Sequence, residues 1–141
     1  SLDGIERSKK IQHLELFYNR FLEDISALEL IKPTLKSLVI KNCSKIKDFS
    51  VLERLEQLEV LALYGNNTLT NLNFLKELSN LKSFGFDVNV LDGNLTPCLS
   101  LERVFCAKNR KHYNLKNSAL PKGNIFAADI SFKGIEVWRK F

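Results

Sequence analysis

The sequence predicts an α/β chain built from a repeated unit, in which short parallel strands alternate with short helical returns. Three observations predict it. Five segments align without gaps over nine positions: IQHLELFYN from Ile11, LKSLVIKNC from Leu35, LEVLALYGN from Leu58, LKSFGFDVN from Leu81 and LERVFCAKN from Leu101. Their starts lie 24, 23, 23 and 20 residues apart, and a fixed period of that size marks a repeat architecture. Offsets 0, 3 and 5 of every segment are apolar. In a chain that is 45% apolar, fifteen such matches arise by chance about once in 10⁵ to 10⁶ trials. Finally, offset 13 is Asp24, Asp48, Asn71 and Asn94, each followed by an apolar residue. A short side-chain oxygen there accepts from the free N–H groups of a first helical turn.

Residues 1–10 read as the end of a preceding or incomplete N-terminal repeat, with Leu2 and Ile5 packing. An array opening at Ile11 exposes its first apolar layer, and the chain has no Met; both favour further repeats upstream. Residues 11–109 hold the five strands. After each strand, the pairs Leu28/Ile31, Leu52/Leu55 and Leu75/Leu78 keep a three-residue spacing, which suits one or two turns of α- or 3₁₀-helix. The fourth return reads TPCLS, where Pro97 predicts a tight turn instead. Offset 8 is Asn19, Cys43, Asn66, Asn89 and Asn109. These side chains are expected to turn inward and satisfy loop N–H and C=O groups, with Cys43 a small buried substitute. Residues 110–141 are expected to cap the last repeat. NIFAADI and GIEVWRK read as two strands there, and Trp138 as the largest side chain to plug the open layer.

This LxxLxLxxN/C pattern resembles the leucine-rich repeat family, and its Asp/Asn-plus-apolar second half is most similar to the short-repeat subclass of protein-phosphatase regulatory subunits and bacterial internalins. The resemblance covers Ile11 to Asn109. It implies a leucine-rich repeat solenoid, with a curved parallel β-sheet on the concave side and short α/3₁₀ helical returns on the convex side. It also implies recognition of partners on the concave sheet. Phe84 and Phe86 in place of aliphatic residues, and the 20-residue fourth unit, depart from the pattern.

Composition excludes several classes. The 141 residues suffice for one folded domain, and no stretch nears the roughly 18 apolar residues of a membrane helix. Three widely spaced cysteines form no disulfide framework, which favours a reducing, cytoplasmic setting over an extracellular one. The net charge of +5 is uneven. Residues 1–100 carry 12 Lys/Arg against 13 Asp/Glu, a balance of −1, whereas residues 101–141 carry 9 against 3, a balance of +6.

Strand alternation turns offsets 2, 4 and 6 away from the core. That face offers Phe17, Val39, Lys41, Tyr64, Asp87, Arg103 and Phe105, with Tyr18 at the neighbouring sheet edge. Aromatic and Arg side chains of this kind anchor protein interfaces, so a non-catalytic protein-binding module with a protein or peptide partner is the leading expectation. The five-strand face measures about 300 Å², against about 800 Å² per partner in a standard interface. The alternatives are nucleic-acid or anionic-ligand binding through Lys108, Arg110, Lys111 and Lys116, with Tyr113 for stacking, or a structural segment of a larger scaffold. Cys98, Cys106 and His112 match no common zinc spacing. Neither a phosphate loop nor a HExxH or GxSxG motif occurs, so no enzyme, metal or cofactor is expected.

Overall fold

Each apolar triplet becomes a strand with one face turned into the core. The computed structural model describes residues 1–8 and 10–123, and the backbone of a last strand at residues 136–140. Its strands are β1 Ile11–Phe17, β2 Ser37–Lys41, β3 Val60–Tyr64, β4 Thr68–Leu69, β5 Ser83–Phe86, β6 Asn89–Val90, β7 Arg103–Cys106 and β8 Glu136–Lys140. The main sheet runs β7-β5-β3-β2-β1-β8 and is parallel throughout. Its register reproduces the sequence alignment. Leu14, Leu38, Leu61, Phe84 and Val104 form one cross-strand row, and Leu16, Ile40, Leu63, Phe86 and Cys106 another. Both rows are buried. The aromatic pair of the fourth unit fits because Phe84 and Phe86 stack on each other at 4.9 Å, with Phe74 edge-on to Phe84.

The returns pack against these rows. They are 3₁₀ helices, at Ser26–Ile31, Ser50–Arg54, Asn73–Glu77 and Thr96–Ser100. Before each one, the side-chain oxygen of Asp24, Asp48, Asn71 or Asn94 accepts from the N–H two residues on, at 2.8, 2.8, 2.9 and 3.1 Å. Such Asx turns start the helix one residue ahead of its formal cap. For Asp24 and Asp48 the same bonds hold the carboxyl below its ordinary range. The turn expected at Pro97 is instead a fourth helix. Pro97 falls in its first turn, where the missing N–H has no partner to lose.

The expected inward row of offset-8 residues is only partly present. Asn19 is buried, and its Oδ1 accepts from the Phe21 and Leu22 N–H groups, both at 3.1 Å. Buried Cys43 donates its thiol to the Leu16 carbonyl at 3.4 Å. In the third unit Asn66 is exposed and Asn67 is buried in its place, donating to the Cys43 and Ile46 carbonyls at 2.9 and 3.0 Å. The cause lies one residue earlier. Tyr18 and Asn42 hold offset 7 in the left-handed region (φ 54° and 56°), which swings offset 8 inward, but Gly65 takes φ 130°. Only glycine adopts that conformation readily, and it delays the inward swing by one residue. In the fourth unit offset 7 is not left-handed: Val88 is itself buried there and Asn89 half-buried, while in the fifth Asn109 is exposed. The rerouted segments pair as β4 and β6, a second small parallel sheet.

The two edges of the main sheet are closed differently. Beside β7, the N–H of Val104 donates to the Pro121 carbonyl and that of Cys106 to Asn117 Oδ1. Leu120 is buried, and Tyr113 and Leu115 pack on the core. At the opposite edge β8 pairs in parallel with β1, Trp138 standing opposite Leu14 in the register. The strand carrying Trp138 therefore lies beside the first repeat and not beyond the last. The expected strand NIFAADI lies outside the described residues.

Candidate binding face

The face of the sheet turned away from the core is uneven. At the row nearest the strand starts it is sealed. His13 is 2% exposed and Ser37 4%, although alternation alone placed both outward. His13 Nε2 donates to Glu15 Oε1 at 2.7 Å, the direction being set because a carboxylate only accepts. Its Nδ1 lies 2.8 Å from Ser37 Oγ. A hydroxyl, an imidazole and a carboxylate in series are the components of an activated nucleophile. Here the hydroxyl is buried, and a reacting carbon has no approach to Oγ. The series instead satisfies polar groups that the sheet has buried.

Farther from β1 the row opens. Arg103 Nε donates to Ser83 Oγ at 2.8 Å, and its Nη1 lies 3.7 Å from Glu102. Between β3, β5 and β7 runs a largely apolar groove of about 440 Å³, with Val60, Ala62 and Gly85 along its floor and Phe105 and Pro121 as walls. Tyr64 leans across the floor. A Cβ at position 85 would come 2.5 Å from Tyr64 Oη, so glycine in mid-strand here permits a close approach. Burial, with a smaller push from the Asp87 charge, raises the Tyr64 phenol above its ordinary range.

Of the eight face residues read from the sequence, Tyr18 and Phe105 stand out at 59% and 54% exposure, and Lys41 is exposed with its ammonium 5.9 Å from the centroid of the Tyr18 ring. Phe17, Val39, Tyr64, Asp87 and Arg103 are half-buried. Two of these have work inside the fold: Arg103 clasps Ser83, and Asp87 Oδ1 accepts from the Gly65 N–H at 2.7 Å. The groove thus joins Tyr64, Arg103 and Phe105, while Phe17, Tyr18 and Lys41 lie toward the β1–β2 side. Pro121 and Lys122 escaped sequence reasoning because they lie in the cap, outside any period. Gly85 carried a signal, as a glycine inside an apolar strand.

The basic end divides in a similar way. Lys108, Lys111 and Lys116 are exposed, but Arg110 is half-buried and donates to the Asp87 carbonyl. Tyr113 donates to the Val88 carbonyl and accepts from the Val90 N–H, which turns its ring into the fold and away from any base. Lys122 donates to the Val104 carbonyl and Asn117 Oδ1; burial lowers its ammonium below the ordinary range. The cysteines behave as core residues. Burial pushes the Cys98 thiol up to about 12 and raises Cys43 and Cys106 as well, the opposite of what a thiolate ligand requires. Among the described residues no cluster of three metal-ligating side chains occurs, and no helix is long and apolar enough to cross a membrane.

Comparisons with protein-family models, with curated proteins and with solved structures each yield no match.

Proposed function

We propose that this chain is a leucine-rich-repeat-type solenoid acting as a non-catalytic protein-binding module, with the outer sheet face as its contact surface. The observation that carries the reading is the pairing of a preformed apolar groove with exposed aromatic side chains on that face, Phe105 at its wall and Tyr18 toward the other edge. Aromatic anchors beside a small pocket are the usual core of a protein interface. The in-register parallel sheet with helical returns supports the solenoid reading, because stacked units present such a face along their length.

Binding of nucleic acid at the basic end has weaker support. Its stacking residue Tyr113 is engaged within the fold, and Arg110 is held by Asp87. A pull-down separates the two readings. Wild type is compared with a Tyr18→Ala/Phe105→Ala variant at low and moderately high salt, with and without nuclease. Proteins retained by wild type at both salts and lost in the variant are the expected result. Retention of only salt-labile, nuclease-sensitive material refutes it, since phosphate contacts weaken steeply with salt.

A further inference from the structure

We infer that the strand-end loops of the first two units bind single-stranded nucleic acid, with bases stacking on Tyr18 and Phe21 and phosphates meeting Arg20, Lys41 and Lys45. This goes beyond the protein-contact reading, and the surface lies apart from the groove between β3, β5 and β7. The first argument is the charge brought together by the fold. Pairing of β1, β2 and β3, continued by hydrogen bonds between their loops, sets FYNRFL from Phe17, KNCSKI from Lys41 and YGNNTL from Tyr64 side by side. These segments hold three cations and no carboxylate. Glu15, before the strip, is engaged by His13, and Glu23, Asp24 and Asp48 come only after the turns. The matching segment of the fourth unit, DVNVLD, carries two acids and ends the strip.

The second argument is how the rings are presented. Phe21 is 78% exposed, more than any other large hydrophobic side chain among the described residues. The turn beneath it is fixed, because Tyr18 is left-handed and buried Asn19 accepts from the Phe21 and Leu22 N–H groups. Each ring has a cation beside it: the Arg20 guanidinium lies 5.2 Å from the Phe21 centroid, as the Lys41 ammonium lies by Tyr18. Among the described residues the side chains of Arg20, Lys41 and Lys45 make no hydrogen bond and no ion pair. At the basic end, by contrast, Arg103, Arg110 and Lys122 are held by groups of the fold. Outward rings interleaved with uncommitted cations form a platform for a single strand, whose bases stack and whose phosphates pair. A duplex hides its base faces. A membrane surface calls for a continuous apolar face, and exposed Asn42, Ser44, Asn66 and Thr68 interrupt this one.

Fluorescence anisotropy tests this, using the full chain and labelled single-stranded oligothymidylate and oligouridylate of about 12 nucleotides. Saturable binding that weakens with salt is expected, with a duplex of equal length bound less tightly. Tyr18→Ala and Phe21→Ala should each lower affinity about fivefold or more. Lys41→Gln/Lys45→Gln should weaken binding and flatten its salt dependence, whereas Lys108→Gln/Lys111→Gln at the basic end should change affinity by less than about twofold. All six side chains are exposed, so the variants keep the fold, and circular dichroism checks this. Failure of both oligonucleotides to bind overturns the proposal, as does binding that is indifferent to the two rings or equally sensitive to both lysine pairs. Displacement of the oligonucleotide by a poly-glutamate peptide or by phosphatidylserine vesicles at equal charge also overturns it, and assigns the strip to acidic proteins or to membranes. The nuclease-treated arm of the pull-down judges the protein-contact reading separately.

Discussion

Leu61→Ala is the sharpest test of the packing described above. Leu61 is fully buried in the central strand β3, with Leu38 on one side of its row and Phe84 on the other. Truncation removes three carbons, a transfer loss of roughly 2 kcal/mol at about 0.8 kcal/mol per group. The neighbours have little freedom to close the gap. Phe84 is pinned by its 4.9 Å stack on Phe86 and by the edge of Phe74. The residual cavity therefore adds about 1–2 kcal/mol more, placing the total near 4 kcal/mol, in the upper part of the range for buried leucines. Val60→Ala, one residue earlier on the other face and half-buried, serves as the control, with an expected cost of about 1 kcal/mol. Urea denaturation followed by circular dichroism measures both. A Leu61→Ala loss below about 1 kcal/mol, or no larger than that of Val60→Ala, refutes the assignment of the two faces.

Three further outcomes follow from the same structure. Asn67→Ala leaves the Cys43 and Ile46 carbonyls without their donor and should cost about 2–3 kcal/mol in urea unfolding, while Asn66→Ala should stay within about 0.5 kcal/mol; equal effects contradict the shifted inward position. Gly65→Ala places a Cβ 3.1 Å from the Asn42 backbone nitrogen at φ 130° and should lower stability by about 1–3 kcal/mol, read as a drop in Tm. Cys98, whose thiol is raised to about 12 by burial and by the nearby Cys106, keeps its proton in the folded state long after an unfolded thiol has lost it. The folded chain then binds more protons, so this contribution is fully present below the ordinary thiol pKa and is lost as pH rises toward about 12. Alkaline unfolding should steepen in that window and flatten in Cys98→Ala, and a thiol reagent at neutral pH should leave Cys98 unmodified until the chain unfolds.

The sequence announces whatever repeats, and it hides whatever depends on a single local choice or a distant partner. The two buried rows and the four Asx turns were legible because each recurs at a fixed offset. Helix type was not, since Leu28 and Ile31, three apart, suit an α-helix and a 3₁₀-helix equally. The shift from Asn66 to Asn67 was hidden in an Asn-Asn pair whose members differ only in the conformation of the preceding Gly65. Alternation assigns faces correctly but not depth: His13 and Ser37, at the outward offset 2, lie sealed. At the candidate site, Tyr64, Arg103 and Phe105 were found from their offsets. Pro121 and Lys122 reach the groove only through the pairing of the cap with β7, a contact no period encodes. The place of β8 beside β1 is non-local in the same sense: Leu14 and Trp138 are neighbours in the sheet and nearly a full chain length apart in sequence.

That last pairing changes how the molecule should come apart. A linear stack of units loses order from its ends, each terminal layer opening without consulting the rest. Here the first strand is held on one side by β2 and on the other by the final strand of the chain, so the N-terminal layer cannot open without releasing the C-terminus. Opening of the first layer is thereby coupled to release of the last strand. Hydrogen exchange should show β1 amides protected together with those of the central β2 and β3, and not fraying ahead of them. Folding, in turn, reaches its final state only when the longest-range contact in the chain has closed, which makes that closure a late and slow step.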